Sequence, residues 1–535
     1  VLLVDLIDIK TAPFEEHAAI ARGWAAPTVT GVICLVQVRF HFDDPSRAAS
    51  LIGLSDQQLS QQLPSRADRG VIVEPSLFHR VIPCERPMQP LTIRARWILT
   101  QDHVPMEGGA VVLHQGRVVG LVQDPANCDL DLGDAILVPR LINAHTHLEF
   151  SELEQPISAE GGFSGWVESL VERRRMAASS LNEESLCRMR QDSLCRGLRE
   201  SIESGTGWLV DNITPPWGFR WPAEIAEAMR LAIQKEANQP LASAIGVGLH
   251  WIGAAEVLCP VAEREATAWS WAESWCQQKR GTANQAPRET SGLQLEWDWA
   301  LAPHAPYTLP WAMLERLVAL SRQEERLVTM HLAETPEEIE WLHGKGGPMA
   351  QMLERLTGRP ALWAQTPPVA RPISHYIGLL SQAPRALVVH GNALDEAAIG
   401  QLVRAGGRVG VVYCPRTHRH FGHAEHPWRK LHQSGVPVAL GTDSRASNPC
   451  LSVWEELRFL AGTSQGVDPR LLLAMATRIP GDLLGLEAKE GLYLGGPAPL
   501  VAFRSTATKS DQILEGLLAN RDRPIPWWQW STEFC

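Results

Sequence analysis

The 535-residue chain lacks the commonest hydrolase and nucleotide signatures. It has no GxSxG, no GxxxxGK(S/T) and no HExxH, so a serine hydrolase, a P-loop enzyme and a zincin have no support. Its ten cysteines form no CxxC pair. PCxxC is also absent, which argues against a nucleobase deaminase with a cysteine zinc site, although His147-Leu148-Glu149 has the form HxE. Basic excess is missing too: 49 Lys and Arg stand against 60 Asp and Glu, a formal net charge of −11. No nucleic-acid or anionic-membrane partner is therefore expected. No apolar run approaches a membrane span. The opening stretch VLLVDLIDIK carries Asp5 and Asp8 and no basic region, so it reads poorly as a secretory signal. With no such signal and scattered cysteines, the expectation is a cytoplasmic protein with free thiols.

What the chain does have is histidine and acid at the ends of apolar runs. The central stretch is LINAHTHLEF, residues 141–150. On a strand, positions i and i+2 face the same side, so His145 and His147 converge as a metal-ligand pair would. Alone, HxH is a weak signal. Further downstream come APHAPYT (302–308), HLAET (331–335), VVHGN (388–392) and GTDSRASN (441–448), each placing a polar residue after an apolar run.

The chain divides by pattern. Residues 1–87 keep no period for long and read as a poorly ordered extension, upstream of a plausible start at Met88. Residues 88–134 alternate apolar and polar with glycine turns, as a small β domain does. From 135 to 485, eight apolar runs alternate with helix-like stretches, which predicts a (β/α)8 TIM-type barrel, an α/β fold. Residues 254–297 read as an insertion after the third strand. Residues 486–508 return to β character and are expected to rejoin the first β unit as a composite β-sandwich domain, and 509–535 form a C-terminal tail. Barrel sites lie at the C-terminal ends of the strands. His145, His147, His304, His331, His390 and Asp443 all fall at that end.

Three histidines and an aspartate suit Zn2+, with Fe2+ as the alternative. The expected shell is His145, His147, His331 and Asp443, holding one divalent ion. Such an ion lowers the pKa of water from about 15.7 towards 7. Asp443 can accept a proton, His390 can polarise the substrate, and Glu334, three residues past His331, can shuttle a proton to a leaving group. Of the twenty tryptophans, Trp166 and Trp251 sit where a pocket role is conceivable.

Taken together, NAHTHLE, APHAPYT, HLAE, VVHGN, YCPRTH and GTDSRASN resemble the amidohydrolase superfamily, in its mononuclear deaminase and chlorohydrolase branch. The resemblance covers about residues 90–505. It implies a metal-dependent barrel with a composite β domain, metal on His145, His147, His331 and Asp443, substrate contact at His304, and proton transfer through Glu334 with His390 beside the reacting water. No lysine stands in DWALAPHAP for the carbamylated residue of binuclear members, so one metal is implied. Within the branch, adenosine-type deaminases share APHAPYT and the acid after HTH, here Glu149. Arg416, Arg445 and Asn448 are candidates to anchor a carboxylate or ribose, and His418, His420 and His423 to line the pocket mouth. The substrate expected is a 6-aminopurine nucleoside with a distal carboxylate, as in aminodeoxyfutalosine. Guanine deamination, dechlorination and cyclic amide opening are the competing readings. A homodimer is left open. Three positions depart from the family pattern: Arg140 where glycine is usual, Ile479-Pro480, and Ala498-Pro499-Leu500.

Overall fold

The computed structural model describes residues 89–214, 223–233, 241–277, 281–282, 293–358, 371–486, 491–507, 509–519 and 522–534. The described residues belong to one compact unit, Gln89–Cys535. The expectation for residues 1–87 lies outside them. No described helix is long and apolar enough to cross a membrane.

Eight apolar runs form the barrel: β1 (Leu141–His147), β2 (Thr206–Ile213), β3 (Val247–Val257), β4 (Leu293–Pro303), β5 (Leu327–Leu332), β6 (Arg385–His390), β7 (Val409–Tyr413) and β8 (Val438–Leu440). They pair in parallel in that order. The strands are buried on both faces, so they read as continuous apolar runs rather than alternating ones; all five residues of β7 are buried. Closure uses a split strand. β8 pairs with β7, and after Gly441-Thr442 the two-residue β9 (Asp443–Ser444) pairs with β1. The interruption brings Asp443 beside the HTH strand.

Helices cover the barrel, and their local chemistry fixes the site loops. Helix α1 (Gly162–Ser180) and helix α2 (Glu183–Glu203) follow β1. Asn182 caps α2 by accepting from the Ser185 amide at 2.8 Å, with Glu183 and Glu184 in the favourable first turn. Helix α2 buries Leu194, Leu198 and Ile202. Residues 254–277, expected to open an insertion, instead complete the third strand and form its crossover helix. β3 continues to Val257, and α3 (Glu265–Cys276) packs back on the sheet, its Trp275 donating to the Gly253 carbonyl at 3.0 Å. The sequence misled because Gly253 and Ala254-Ala255 look like a strand end, whereas Gly253 makes room for the Trp251 ring, which a Cβ there would meet at 2.4 Å.

Helix α4 (Pro336–Leu342) starts immediately after the β5 loop. Thr335 is its N-cap and Pro336 takes the first position, where a missing N–H costs nothing. The Glu338 carboxylate reaches back to the amides of Ala333 and Glu334 at 3.1 and 2.8 Å, a capping-box arrangement. It immobilises the loop that carries Glu334.

There are two small sheets, the second built from both chain ends. One comprises Arg117–Gln123, Gly109–His114, Leu91–Arg94 and Leu130–Asp131. In the other, Ala135–Leu137 pairs with Val501–Arg504, which in turn pairs with Ile525–Pro526. The tail from 509 thus adds a strand, and Trp527 and Trp530 are fully buried behind it. Their apolar mass explains a tryptophan-rich end that shows no periodicity. Two of the departures from the family pattern form one contact. The buried Arg140 donates to Ala498 O at 2.6 Å and to Gly246 O at 2.9 Å, joining the barrel to the β unit at the end away from the site. Burial, then the nearby Arg117, lowers its guanidinium to about 10. Gly207 makes space for it, since a Cβ there would lie 2.6 Å from Arg140 Cδ.

Candidate metal-dependent active site

The ends of β1, β3, β5, β6 and β9 deliver His145, His147, Glu256, His331, His390 and Asp443 to one buried pocket. His145 lies 4.9 Å from His147 and 5.0 Å from His331, ring centre to ring centre. Asp443 Oδ1 stands 3.4 Å from His145 Nε2 and 3.6 Å from His147 Nε2. Three residue sets bring ligand atoms within 4.8 Å of one another: His145, His147, Asp443; His145, His331, His390; and His147, Glu256, His331. All four residues expected as ligands therefore share the pocket.

The donor chemistry fits a divalent cation. Nδ1 of His145 and Nδ1 of His147 are buried without a hydrogen-bond partner, and His145 Nε2 meets Asp443 Oδ1 at 3.4 Å; buried imidazole lone pairs left unpaired are costly. His331 approaches the His304 carbonyl with Nδ1 at 3.2 Å, which requires the proton on Nδ1 and leaves Nε2 as a lone-pair donor. Burial, followed by the neighbouring His145, depresses His331 to about 3 and puts His147 well below its ordinary value, so both are held neutral. Burial alone would raise Asp443, but the His145 hydrogen bond and the fields of His390 and His147 hold it well below the usual carboxylate range. Its other oxygen accepts from Ser447 at 2.6 Å.

Glu334 and His390 face each other at 3.3 Å, Oε1 to Nε2, and both are buried. Burial, then the charge of Asp443, pushes Glu334 well above the ordinary carboxylate range. Burial holds His390 well below its ordinary value. A carboxyl that keeps its proton thus faces a neutral imidazole, the arrangement a proton shuttle needs. Backbone strain marks the same corner: His390 and Asp443 have φ of 70° and 55°, and Ala333 has 55°. Non-glycine residues pay about 1–2 kcal/mol there, so the surrounding contacts must over-determine the geometry.

The other residues singled out by sequence distribute around this centre. His304 packs 5.1 Å from His331, its Nδ1 2.7 Å from the Thr308 hydroxyl, and burial followed by Arg174 lowers it to about 4. Glu149 meets the Thr214 hydroxyl at 2.8 Å and Arg174 at 2.5 Å. Trp166 donates to the Ala446 carbonyl at 3.0 Å and packs on Phe421. Trp251 donates to Asp211, which also accepts the Leu148 amide and so fixes the end of β1. Arg445 holds Glu200 with both oxygens at 3.1 Å and donates to the Leu153 and Glu154 carbonyls. Arg416 meets Cys450 and Glu456. Asn448 is fully buried, donating to Thr442 O and Glu456. These last three therefore hold protein groups rather than facing His145 or His331.

Sequence reasoning missed three site residues. Glu256 lies in a run that continues to Val257, past the point at which residues 254–297 read as an insertion, yet a carboxylate inside WIGAAEVLC is itself a signal. Its Oε2 accepts from Thr214 at 2.7 Å, and Oε1 lies 3.9 Å from His331. Arg174, in the run of three arginines on α1, turns inward to Glu149. His426 contacts the His390 carbonyl.

A closed α/β barrel with buried histidines and acids at the strand C-termini has the donor set to hold a divalent ion. The model of the family described as "Amidohydrolase family" matches residues 136–521. The chain belongs to the amidohydrolase family and is a hydrolase acting on carbon–nitrogen bonds. It is 28% identical over 357 residues to the aminodeoxyfutalosine deaminase of Deinococcus radiodurans, covering 64% of this chain and 72% of the relative. It is 26% identical over 407 residues to the 5-methylthioadenosine/S-adenosylhomocysteine deaminase of Pyrococcus abyssi, covering 73% and 78%. In fold it resembles the aminofutalosine deaminase of Helicobacter pylori in complex with methylthio-coformycin (TM-score 0.59, 18% identity, 81% and 97% of the two chains). It also resembles an adenosine deaminase of Xanthomonas campestris with bound zinc (TM-score 0.55, 22% identity, 81% and 89%).

Proposed function

We propose that the protein is a hydrolytic deaminase of an adenine-type nucleoside, with a substrate of the aminodeoxyfutalosine kind. The observation that carries this reading is the buried Glu334–His390 pair beside the His145, His147, His331 and Asp443 donors. The relatives named as deaminases of adenine-containing nucleosides support it. Those four donors would hold a single divalent ion, with zinc, present in the Xanthomonas neighbour, the first candidate. Bound there, such an ion supplies Lewis acidity that acidifies water.

The chain's own groups then do the rest. Glu334, kept protonated by burial, donates to a ring nitrogen of the substrate and makes the adjacent amine-bearing carbon more electrophilic. Asp443, held ionised, accepts the proton of the attacking water. His390, neutral and with its proton on Nε2, hydrogen-bonds the developing tetrahedral centre. Glu334, now a carboxylate, takes the hydroxyl proton of the tetrahedral centre and passes it to the departing amine; the carbon–nitrogen bond breaks, ammonia leaves, and the proton held by Asp443 restores Glu334. His304 packs against the base, while Glu149 and Glu256, bridged by Thr214, offer acceptors for sugar hydroxyls. Arg416 and Arg445 remain the guanidiniums that the sequence puts forward for a distal carboxylate; each would have to exchange a protein acceptor for the substrate.

The test is ammonia release across adenosine, S-adenosylhomocysteine, methylthioadenosine, aminodeoxyfutalosine, guanine and cytosine, with chloride release from chlorotriazines in parallel. Ammonia from the nucleosides supports the reading. Guanine alone would keep the mechanism and discard the nucleoside, and chloride without ammonia would overturn the deaminase.

A further inference from the structure

We propose that the segment between β7 and β8 carries two positioning histidines, His418 in the short helix Pro415–His420 and His426 beyond it, which fix the Glu334–His390 pair from behind. The assay rests on the deaminase reading, but the geometry does not. His426 is 4% exposed, and its Nε2 lies 2.8 Å from the carbonyl oxygen of His390. A carbonyl only accepts, so Nε2 carries the proton. The ring stacks on Tyr413 at 3.9 Å with 17° between planes, which fixes the direction of that N–H. The residue it grips is the left-handed one: His390 has φ of 70° and is followed by Gly391 at 64°. A side chain leaving such a backbone points away from the direction a regular strand would give it. Holding the peptide in this state therefore aims the imidazole at Glu334.

The second arm runs through Asn392. Its side-chain amide donates to the Glu334 carbonyl at 2.8 Å, and its Oδ1 lies 3.0 Å from His418 Nδ1. Since the amide nitrogen is the donor to Glu334, Oδ1 accepts, and His418 Nδ1 carries a proton. Each member of the acid/base pair is thus gripped by its own backbone carbonyl, through one histidine of the same segment. His420 takes no part; its Nε2 meets the Ile157 carbonyl at 2.9 Å. The inference assigns a role to two histidines that touch neither proposed metal ligand nor substrate.

The experiment compares metal-loaded wild type with His426→Phe, which keeps the ring on Tyr413 but has no donor, and with His426→Gln, which restores an N–H. In His426→Phe, kcat should fall about 10–100-fold with KM within about twofold and metal content unchanged, since misplacing a reacting group by about 1 Å costs on that order. His426→Gln should recover most of the loss. A purely packing role would lower the melting temperature in both variants and spare kcat per folded, metallated molecule. Wild-type kcat in His426→Phe, or no recovery in His426→Gln, would overturn the proposal. If His426→Phe does not accumulate folded, His418→Phe reads the other arm: a kcat loss at constant KM supports it and an unchanged kcat overturns it. Should wild type turn over none of the panel, the deaminase reading fails separately and the crystal structure of the variant decides. His390 leaving the left-handed region, with Nε2 out of reach of Glu334, supports the clamp; an unmoved His390 overturns it.

Discussion

Replacing Glu334 by glutamine is the sharpest perturbation of the proposed chemistry. The side chain is buried and its Oε1 stands 3.3 Å from His390 Nε2, so an amide of the same size keeps the packing and can keep the contact. What it removes is a proton that can be given and taken back. General acid/base groups contribute about 10²–10⁴-fold, equivalent to about 2.7–5.4 kcal/mol of barrier. Stability should change little, because the raised affinity of Glu334 for its proton means the folded protein already holds a neutral group there. The assay is steady-state ammonia release with metal content and melting temperature measured on the same sample. The expected result is kcat down by two to four decades (roughly, by the same estimate), with KM, metal and melting temperature close to wild type. Wild-type turnover at full metal loading would reject Glu334 as the shuttle; loss of metal in the variant would mean that it serves the ion instead.

Three further outcomes follow. His331→Ala or Asp443→Ala should lower the content of a single divalent ion per chain, read by elemental analysis; two tightly held ions, or undiminished metal in both, would contradict the shell. Metal-stripped protein should be acid-labile: His331 and His426 sit at about 3 when folded against 6.5 ordinarily. Both are neutral in the fold, so their stability contribution is full above pH 6.5 and is lost as pH falls towards 3, costing about 2 kcal/mol each between pH 7 and 5 in urea titrations. A flat urea midpoint over that range would reject the burial argument. Arg445→Ala should lower the melting temperature by freeing Glu200, yet leave KM for aminodeoxyfutalosine and adenosine in the same ratio; a selective rise for the carboxylate-bearing substrate would show that Arg445 does exchange Glu200 for substrate.

The barrel was legible because its strands are buried on both faces and end in chemically distinctive residues: His145-Thr146-His147, His331, His390 and Asp443 announce both the period and the direction of the sheet. The split of the last strand at Gly441-Thr442 was not, since nothing in GTDS distinguishes one continuous strand from two short ones. Glu256 was hidden because small residues, Gly253 to Ala255, imitate a strand end, whereas Gly253 is small to admit the ring of Trp251. The inward turn of Arg174 and the grip of His426 on a backbone carbonyl depend on contacts between residues 25 and 36 positions apart, which no local pattern encodes. Nor could spacing show that Arg445 already has a carboxylate partner in α2.

The most direct test of hydrolytic deamination is to incubate the metal-loaded protein with aminodeoxyfutalosine in oxygen-labelled water and follow both products. The account predicts one ammonia for each labelled oxygen appearing at the former amine-bearing ring carbon. Product without the label at that carbon, or full metal loading with no ammonia from any nucleoside, would contradict it.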